Sequence, residues 1–209
     1  MSSSARSFAA EGLATFTLVF LGTGACVVNA AGGGRLGVVG VGAAFGAAVY
    51  LGALIFGPMS GAHMNPAVTL ALWRARRFPA REVAPYVLVQ AGGALAASAL
   101  LLLIFRARAG DLGATHPAAG IATSFALEGM MTFVLVLVVL RSPAAWTPVA
   151  AAAVVALEAI LGGPLTGASM NPARSLGPAL LSGRLDGLWI YLLAPVLGAL
   201  AASEVSARQ

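Results

Sequence analysis

The sequence predicts an all-helical membrane protein with six spanning helices and two re-entrant half-helices, built as an inverted repeat. Three observations predict it. The chain of 209 residues is 59% hydrophobic and 9% charged, with a mean hydropathy of +0.92, where a soluble domain is about a quarter charged. Its apolar runs approach or exceed the roughly 20 residues that cross a bilayer as a helix. One stretch, Ser60-Gly61-Ala62-His63-Met64-Asn65-Pro66-Ala67-Val68-Thr69-Leu70, returns as Thr166-Gly167-Ala168-Ser169-Met170-Asn171-Pro172-Ala173-Arg174-Ser175-Leu176.

Taken in order, Phe8 to about Ala30 reads as the first span and about Leu36 to Phe56 as the second, rich in Gly and Ala. A loop over 57–64 then leads into a short apolar helix from Asn65 to about Trp73. The run from Arg74 to Arg81 precedes a third span from Glu82 to about Phe105, and residues 106–119 form a polar connection. Ala119–Leu140 is a fourth span and about Trp146 to Gly162 a fifth. The second loop and short helix occupy 163–182, and Leu188 to about Val205 is the sixth span. The whole chain, 1–209, therefore reads as one transmembrane domain, with repeats of about 1–105 and 119–209.

Charge supplies orientation. All 12 basic residues are Arg, and the net charge of +5 is spread over short loops. That is a topology signal rather than a nucleic-acid surface. Arg6, Arg74, Arg76, Arg77, Arg81, Arg141 and Arg208 fall on one side; Arg35, Arg106, Arg108 and Arg184 fall on the other. Both termini and the 74–81 run are predicted cytoplasmic, in a multi-pass protein of the cell membrane. The first apolar run is long enough to span, so no cleaved leader is predicted. The single cysteine, Cys26, has no disulfide partner within the chain and reads as a small buried hydrophobe.

The repeat extends beyond the two loops. Glu11-Gly12-Leu13-Ala14-Thr15-Phe16 matches Glu128-Gly129-Met130-Met131-Thr132-Phe133, and Gly93-Ala94-Leu95-Ala96-Ala97-Ser98 recurs at Gly198–Ser203. Tyr86 and Tyr191 stand at the same distance before each of these glycines. An odd number of spans per half turns the second half upside down. The two Asn-Pro-Ala loops must then enter from opposite faces.

Asn caps a helix start, and Pro directly after it sits where a helix tolerates a missing N–H. Irregular backbone at membrane depth is tolerated where it is buried in protein or lines a wet cavity. A helix of about ten residues rises roughly 15 Å, half of a hydrocarbon core about 30 Å thick. Asn65 and Asn171 are therefore predicted to meet near the midplane. Each helix start carries about half a positive charge, which repels cations and hydronium. Carbonyls of Gly61, Ala62, His63, Gly167 and Ser169 supply acceptors on either side. Such a path suits water or a small polyol and does not suit an ion.

With both Asn-Pro-Ala motifs in inverted halves, the second continuing into Arg174, the chain resembles the aquaporin, or major intrinsic protein, family over nearly its whole length. The resemblance implies one pore per subunit, a homotetramer, and no cofactor or covalent chemistry. It assigns the pore motifs to Asn65, Pro66, Ala67, Asn171, Pro172 and Ala173, and an outer filter to Phe45, Ala159, Ala168 and Arg174. Water-specific members carry His where Ala159 stands, so the filter is expected to be wide. The set resembles the nodulin-like branch, which passes glycerol and uncharged metalloid acids. Ser175, Ala179 and Tyr191 follow the water-channel pattern instead, while Leu192 replaces its usual Trp. The expected solutes are water and small neutral molecules, with a strictly water-selective channel as the alternative.

The family resemblance also implies that Glu11 and Glu128 accept hydrogen bonds from the adjacent loops. Glu158 adjoins the filter and reads as structural. His63 is expected to be packed while its carbonyl serves the pore, and His116 lies in a loop. Two rival classes are weaker. An ion-coupled carrier would use Glu11, Glu128 or Glu158 as its coupling site. An intramembrane enzyme would need a nucleophile–base pair or metal cluster, and the residue pattern offers neither.

Overall fold

The computed structural model of the chain describes residues 3–106 and 110–207. Among these the structure is all-helical, with eight α-helices in chain order: α1 (Ser3–Ala31), α2 (Gly37–Ser60), α3 (Pro66–Arg74), α4 (Ala80–Phe105), α5 (Ile121–Arg141), α6 (Thr147–Thr166), α7 (Pro172–Ser182) and α8 (Leu188–Ala207). Six of them are long and apolar enough to cross a membrane. Helices satisfy their own backbone, which lipid cannot do for them. The outer surface is correspondingly apolar, with Leu88 71% and Leu161 73% exposed. This is a multi-pass membrane protein.

Two helix ends run past their expected positions. α2 continues through Pro58 to Ser60, and α6 continues through Pro164 to Thr166. Gly57-Pro58 and Gly163-Pro164 read as breakers in the sequence, yet proline so near a helix end costs only the last turn's hydrogen bonding. The hydroxyls of Ser60 and Thr166 reach back to the carbonyls of Phe56 and Gly162 at 3.3 and 3.5 Å. Termination falls instead on Gly61 and Gly167, at φ +82° and +84°. Only a residue without a Cβ adopts that conformation at little cost.

The two halves pack by the same rule. α1 packs on α2 and α4, α5 on α6 and α8, and α2 meets α6. Each short helix crosses to the other half, α3 onto α8 and α7 onto α4. Close approach at α1–α4 and α5–α8 depends on the repeated glycines. A Cβ at Gly93 would strike the backbone of Gly12, and one at Gly198 the backbone of Gly129.

One end of the bundle gathers the arginines of the 74–81 run. Arg74 pairs with Glu204, Arg77 donates to the Leu140 carbonyl at 2.7 Å, and Arg141 reaches the Val205 carbonyl at 3.5 Å. Of the arginines counted for orientation, Arg108 and Arg208 lie outside the described residues.

Candidate pore and filter

Each re-entrant loop has the same backbone. Gly61, Ala62 and Met64 have φ of +82°, +46° and +53°, and Gly167, Ala168 and Met170 have +84°, +41° and +54°. Left-handed alanine and methionine cost on the order of 1–3 kcal/mol each, so the surroundings must impose the shape. Two buried carboxylates do so. Glu11 accepts the N–H groups of His63 at 3.1 Å and Met64 at 2.5 Å, and the Gln90 amide at 2.8 Å. Glu128 accepts the N–H groups of Ser169 at 2.8 Å and Met170 at 2.7 Å, and the Thr166 hydroxyl at 2.8 Å. Tyr86 and Tyr191 tie the preceding helix ends, donating to the Ser60 and Thr166 carbonyls at 2.8 and 2.7 Å.

The loops deliver Asn65 and Asn171 to one point. Asn65 Oδ1 accepts the Ala67 N–H at 2.8 Å; Asn171 Oδ1 accepts those of Ala173 at 3.0 Å and Arg174 at 3.3 Å. Pro66 and Pro172 occupy the first helical position. Each Asn amide then donates across the molecule, Asn65 Nδ2 to the Met170 carbonyl and Asn171 Nδ2 to the Met64 carbonyl, both at 2.7 Å. An amide nitrogen carries two N–H groups. One of each is spent on this exchange, and both Asn side chains lie on the wall of a cavity of about 610 Å³.

Its lining is mixed: Leu18, Val49, Leu135 and Val155 contribute apolar side chains, and the loop residues Gly61, Ala62, His63 and Ser169 line it too. Pro58, Pro148, Phe45, Ala168 and Arg174 also belong to the lining. Arg174 is 3% exposed. Its Nη1 donates to the Gly113 carbonyl at 2.7 Å, and its Cζ lies 4.9 Å from the Phe45 ring centroid. Its Nε is buried and has no hydrogen-bond partner among the described residues.

Ala159, Gly167 and the motif residues Pro66, Ala67, Pro172 and Ala173 are not among the lining residues. Ala159 is buried in the apolar cluster that contains Phe45 and Ala168 and is not a lining residue. Gly167 lies instead against Thr115, which a Cβ there would meet at 3.0 Å. His63 is packed, with Nδ1 3.1 Å from Thr69 Oγ1 and its ring centroid 4.7 Å from that of Phe78. Glu158 keeps one buried carboxylate oxygen without a hydrogen-bond partner among the described residues. Sequence reasoning missed the contribution of Gly113 to Arg174, because nothing local to residue 113 points across 61 positions. It also missed Gln90, which bridges Glu11 and Thr69 at 2.8 and 2.9 Å.

A bundle of six apolar helices around an internal cavity lined by two capping asparagines and a buried arginine has the architecture of a channel. The profile of the family described as Major intrinsic protein matches residues 1–205, and the chain belongs to that family. Nodulin-26 of Glycine max is 38% identical over 206 residues, covering 96% of this chain and 76% of its own length. Aquaporin NIP1-4 of Oryza sativa subsp. japonica is 42% identical over 198 residues, 92% of this chain and 72% of its own. The solved structure of the aquaglyceroporin from Plasmodium falciparum superposes with a TM-score of 0.90 at 25% identity, covering 98% of this chain and 96% of the other. The protein is a channel for water and small solutes, not an enzyme.

Proposed function

We propose that the channel passes water together with glycerol-sized uncharged solutes, metalloid acids among them, and excludes ions and protons. The observation that carries this reading is the reciprocal exchange between Asn65 and Asn171 on a largely apolar cavity. It leaves one amide N–H of each Asn to serve a passing oxygen, while apolar lining residues such as Leu18, Val49 and Val155 suit the carbon skeleton of a small polyol. The two helix starts place positive potential at the same point, which disfavours cations. Phe45, Ala168 and Arg174 act as the outer filter, with Ala159 packed behind them in the same buried cluster. Glu11 and Glu128 hold the loops; their oxygens are committed to loop N–H and neighbouring side-chain donors, which argues against a coupling role.

The glycerol assignment draws support from the structural relative, an aquaglyceroporin, and from the absence of a bulky donor at position 159. A strictly water-selective channel is favoured by one observation, the placement of Arg174 over Phe45. The two readings separate in proteoliposomes challenged with sucrose, glycerol and boric acid while light scattering follows vesicle volume. Fast re-swelling in glycerol supports the wide filter; fast shrinkage in sucrose without re-swelling supports the narrow one.

The same reading places both termini in the cytoplasm of the cell membrane, on the side where Arg74, Arg77 and Arg141 gather. The assembly is a homotetramer in the lipid bilayer, each subunit carrying its own pore.

A further inference from the structure

The connection between α4 and α5 contains a turn, residues 111–116, whose internal bonds converge on Arg174. Asp111 Oδ1 accepts the Gly113 N–H at 3.0 Å, and the Asp111 carbonyl accepts the Ala114 N–H at 3.0 Å. The second carboxylate oxygen lies 2.9 Å from His116 Nε2. Held this way, the Gly113 carbonyl accepts from Arg174 Nη1 at 2.7 Å. Thr115 Oγ1 stands 2.9 Å from the hydroxyl of Ser175, the residue after Arg174.

The turn is not a relaxed loop. Leu112 has φ +58° and Gly113 has φ +70°. A leucine adopts that conformation only when its surroundings impose it. Leu112 is fully buried in a cluster with Leu101, with Phe20, Phe105 and Leu181 packed against it. A Cβ at Gly113 would stand 2.9 Å from Cys26 Cβ and 3.2 Å from the Thr23 carbonyl. The segment is thus pressed onto α1 in a shape that aims one carbonyl at the guanidinium.

Arg174 needs such a hold. Its guanidinium is a rigid plane of five donors, so fixing one part of the plane sets the direction of the rest. The Gly113 carbonyl and the face of Phe45 are two of its contacts, and Cys26 hydrogen-bonds to it as well. We propose that Asp111 is a positioning residue for solute selection: its Oδ1 locks the turn that holds Arg174 over Phe45. The inference rests on the reading of Arg174 as a filter residue. His116 is the minor partner, since both its side chain and that of Asp111 are more than 40% exposed and exposed pairs contribute little.

The test compares D111A, D111N, H116A and R174A in proteoliposomes, each normalised to folded protein, with the glycerol-to-water permeability ratio as readout. D111A removes the acceptor for Gly113, and its ratio is expected to move about fivefold in the direction of R174A, the scale of one net hydrogen bond. D111N keeps an Oδ1 acceptor and is expected to stay within about twofold of the unaltered protein, as is H116A. A ratio unchanged in D111A while R174A shifts it overturns the proposal and leaves the filter reading standing. D111N behaving like D111A overturns it too, because charge rather than the turn would be acting. If R174A itself leaves the ratio unchanged, the filter reading fails and the positioning role falls with it. Should D111A fail to reconstitute, D111L decides: it has no side-chain acceptor and predicts a ratio displaced from that of D111N, and equality of the two rejects the role.

Discussion

Asn65 Nδ2 and the Met170 carbonyl oxygen are 2.7 Å apart, and Asn171 Nδ2 stands at the same distance from the Met64 carbonyl. Each re-entrant loop thereby uses the other loop's backbone as the acceptor for its own capping residue. The two half-helices lock each other, and neither amide can turn away from the cavity without leaving a buried carbonyl unpaired.

Replacing Asn171 by Asp tests that lock. The substitution keeps an Oδ1 cap for Ala173 but removes the donor to Met64 and sets carboxylate oxygen against carbonyl oxygen. Leaving a buried carbonyl unpaired costs about 1–3 kcal/mol. Osmotic water permeability per folded channel is expected to fall at least about tenfold, the equivalent of 1.4 kcal/mol. Stopped-flow light scattering against the unaltered protein checks it; full permeability would mean that the Asn amide does not serve the path.

Glu128→Gln separates a structural carboxylate from a coupling one. The carboxylate accepts three hydrogen bonds, and an amide presents its own N–H to at least one of those donors. About 1–3 kcal/mol of stability should be lost. For a chain of this size that lowers the melting temperature by about 2–4 °C per kcal/mol. The unfolding curve in detergent gives the answer. An unchanged curve with abolished flux would favour the carrier class instead.

The glycine crossings make a packing prediction. A methyl at Gly93 or Gly198 meets backbone of the facing helix, which has no rotamer by which to yield. Overpacking of this kind costs about 1–3 kcal/mol. Gly93→Ala and Gly198→Ala should each lower the melting temperature. Gly92→Ala, with open space around its Cβ position, should not.

Ala159→His asks how the filter chooses. Ala159 shares a buried cluster with Phe45 and Ala168. An imidazole there would add bulk and a donor beside Phe45 and Ala168, which line the cavity. Steric discrimination in a pocket runs on the order of 10–200-fold. Glycerol permeability is expected to drop at least about tenfold, with water reduced by no more than about threefold. Equal losses for both solutes would place position 159 outside the filter.

Much of this architecture was legible because its determinants are local. The spans follow from apolar length, and the loop-to-helix starts follow from Asn-Pro-Ala, where cap and first helical residue are neighbours in sequence. The repeated Gly12/Gly93 and Gly129/Gly198 pairs were visible as matched blocks, although their contact became clear only in three dimensions. The ends of α2 and α6 were misplaced because Gly57-Pro58 and Gly163-Pro164 carry breaker signals that a terminal helical turn tolerates. What could not be read is long-range polar pairing. Gly113 and Arg174, Gln90 and Glu11, and Thr115 and Ser175 meet through packing of distant segments, and no periodicity encodes such a meeting.

The central claim is that the passage admits neutral molecules and refuses charge. Purified protein in liposomes loaded with a pH-sensitive dye, subjected to a sucrose gradient and then to a proton gradient, measures both properties on one preparation. Fast shrinkage relative to empty liposomes, unaffected by pH difference and without dye response beyond that of empty liposomes, is the predicted result. Shrinkage no faster than in empty liposomes, or a proton leak that scales with the amount of protein, would contradict it.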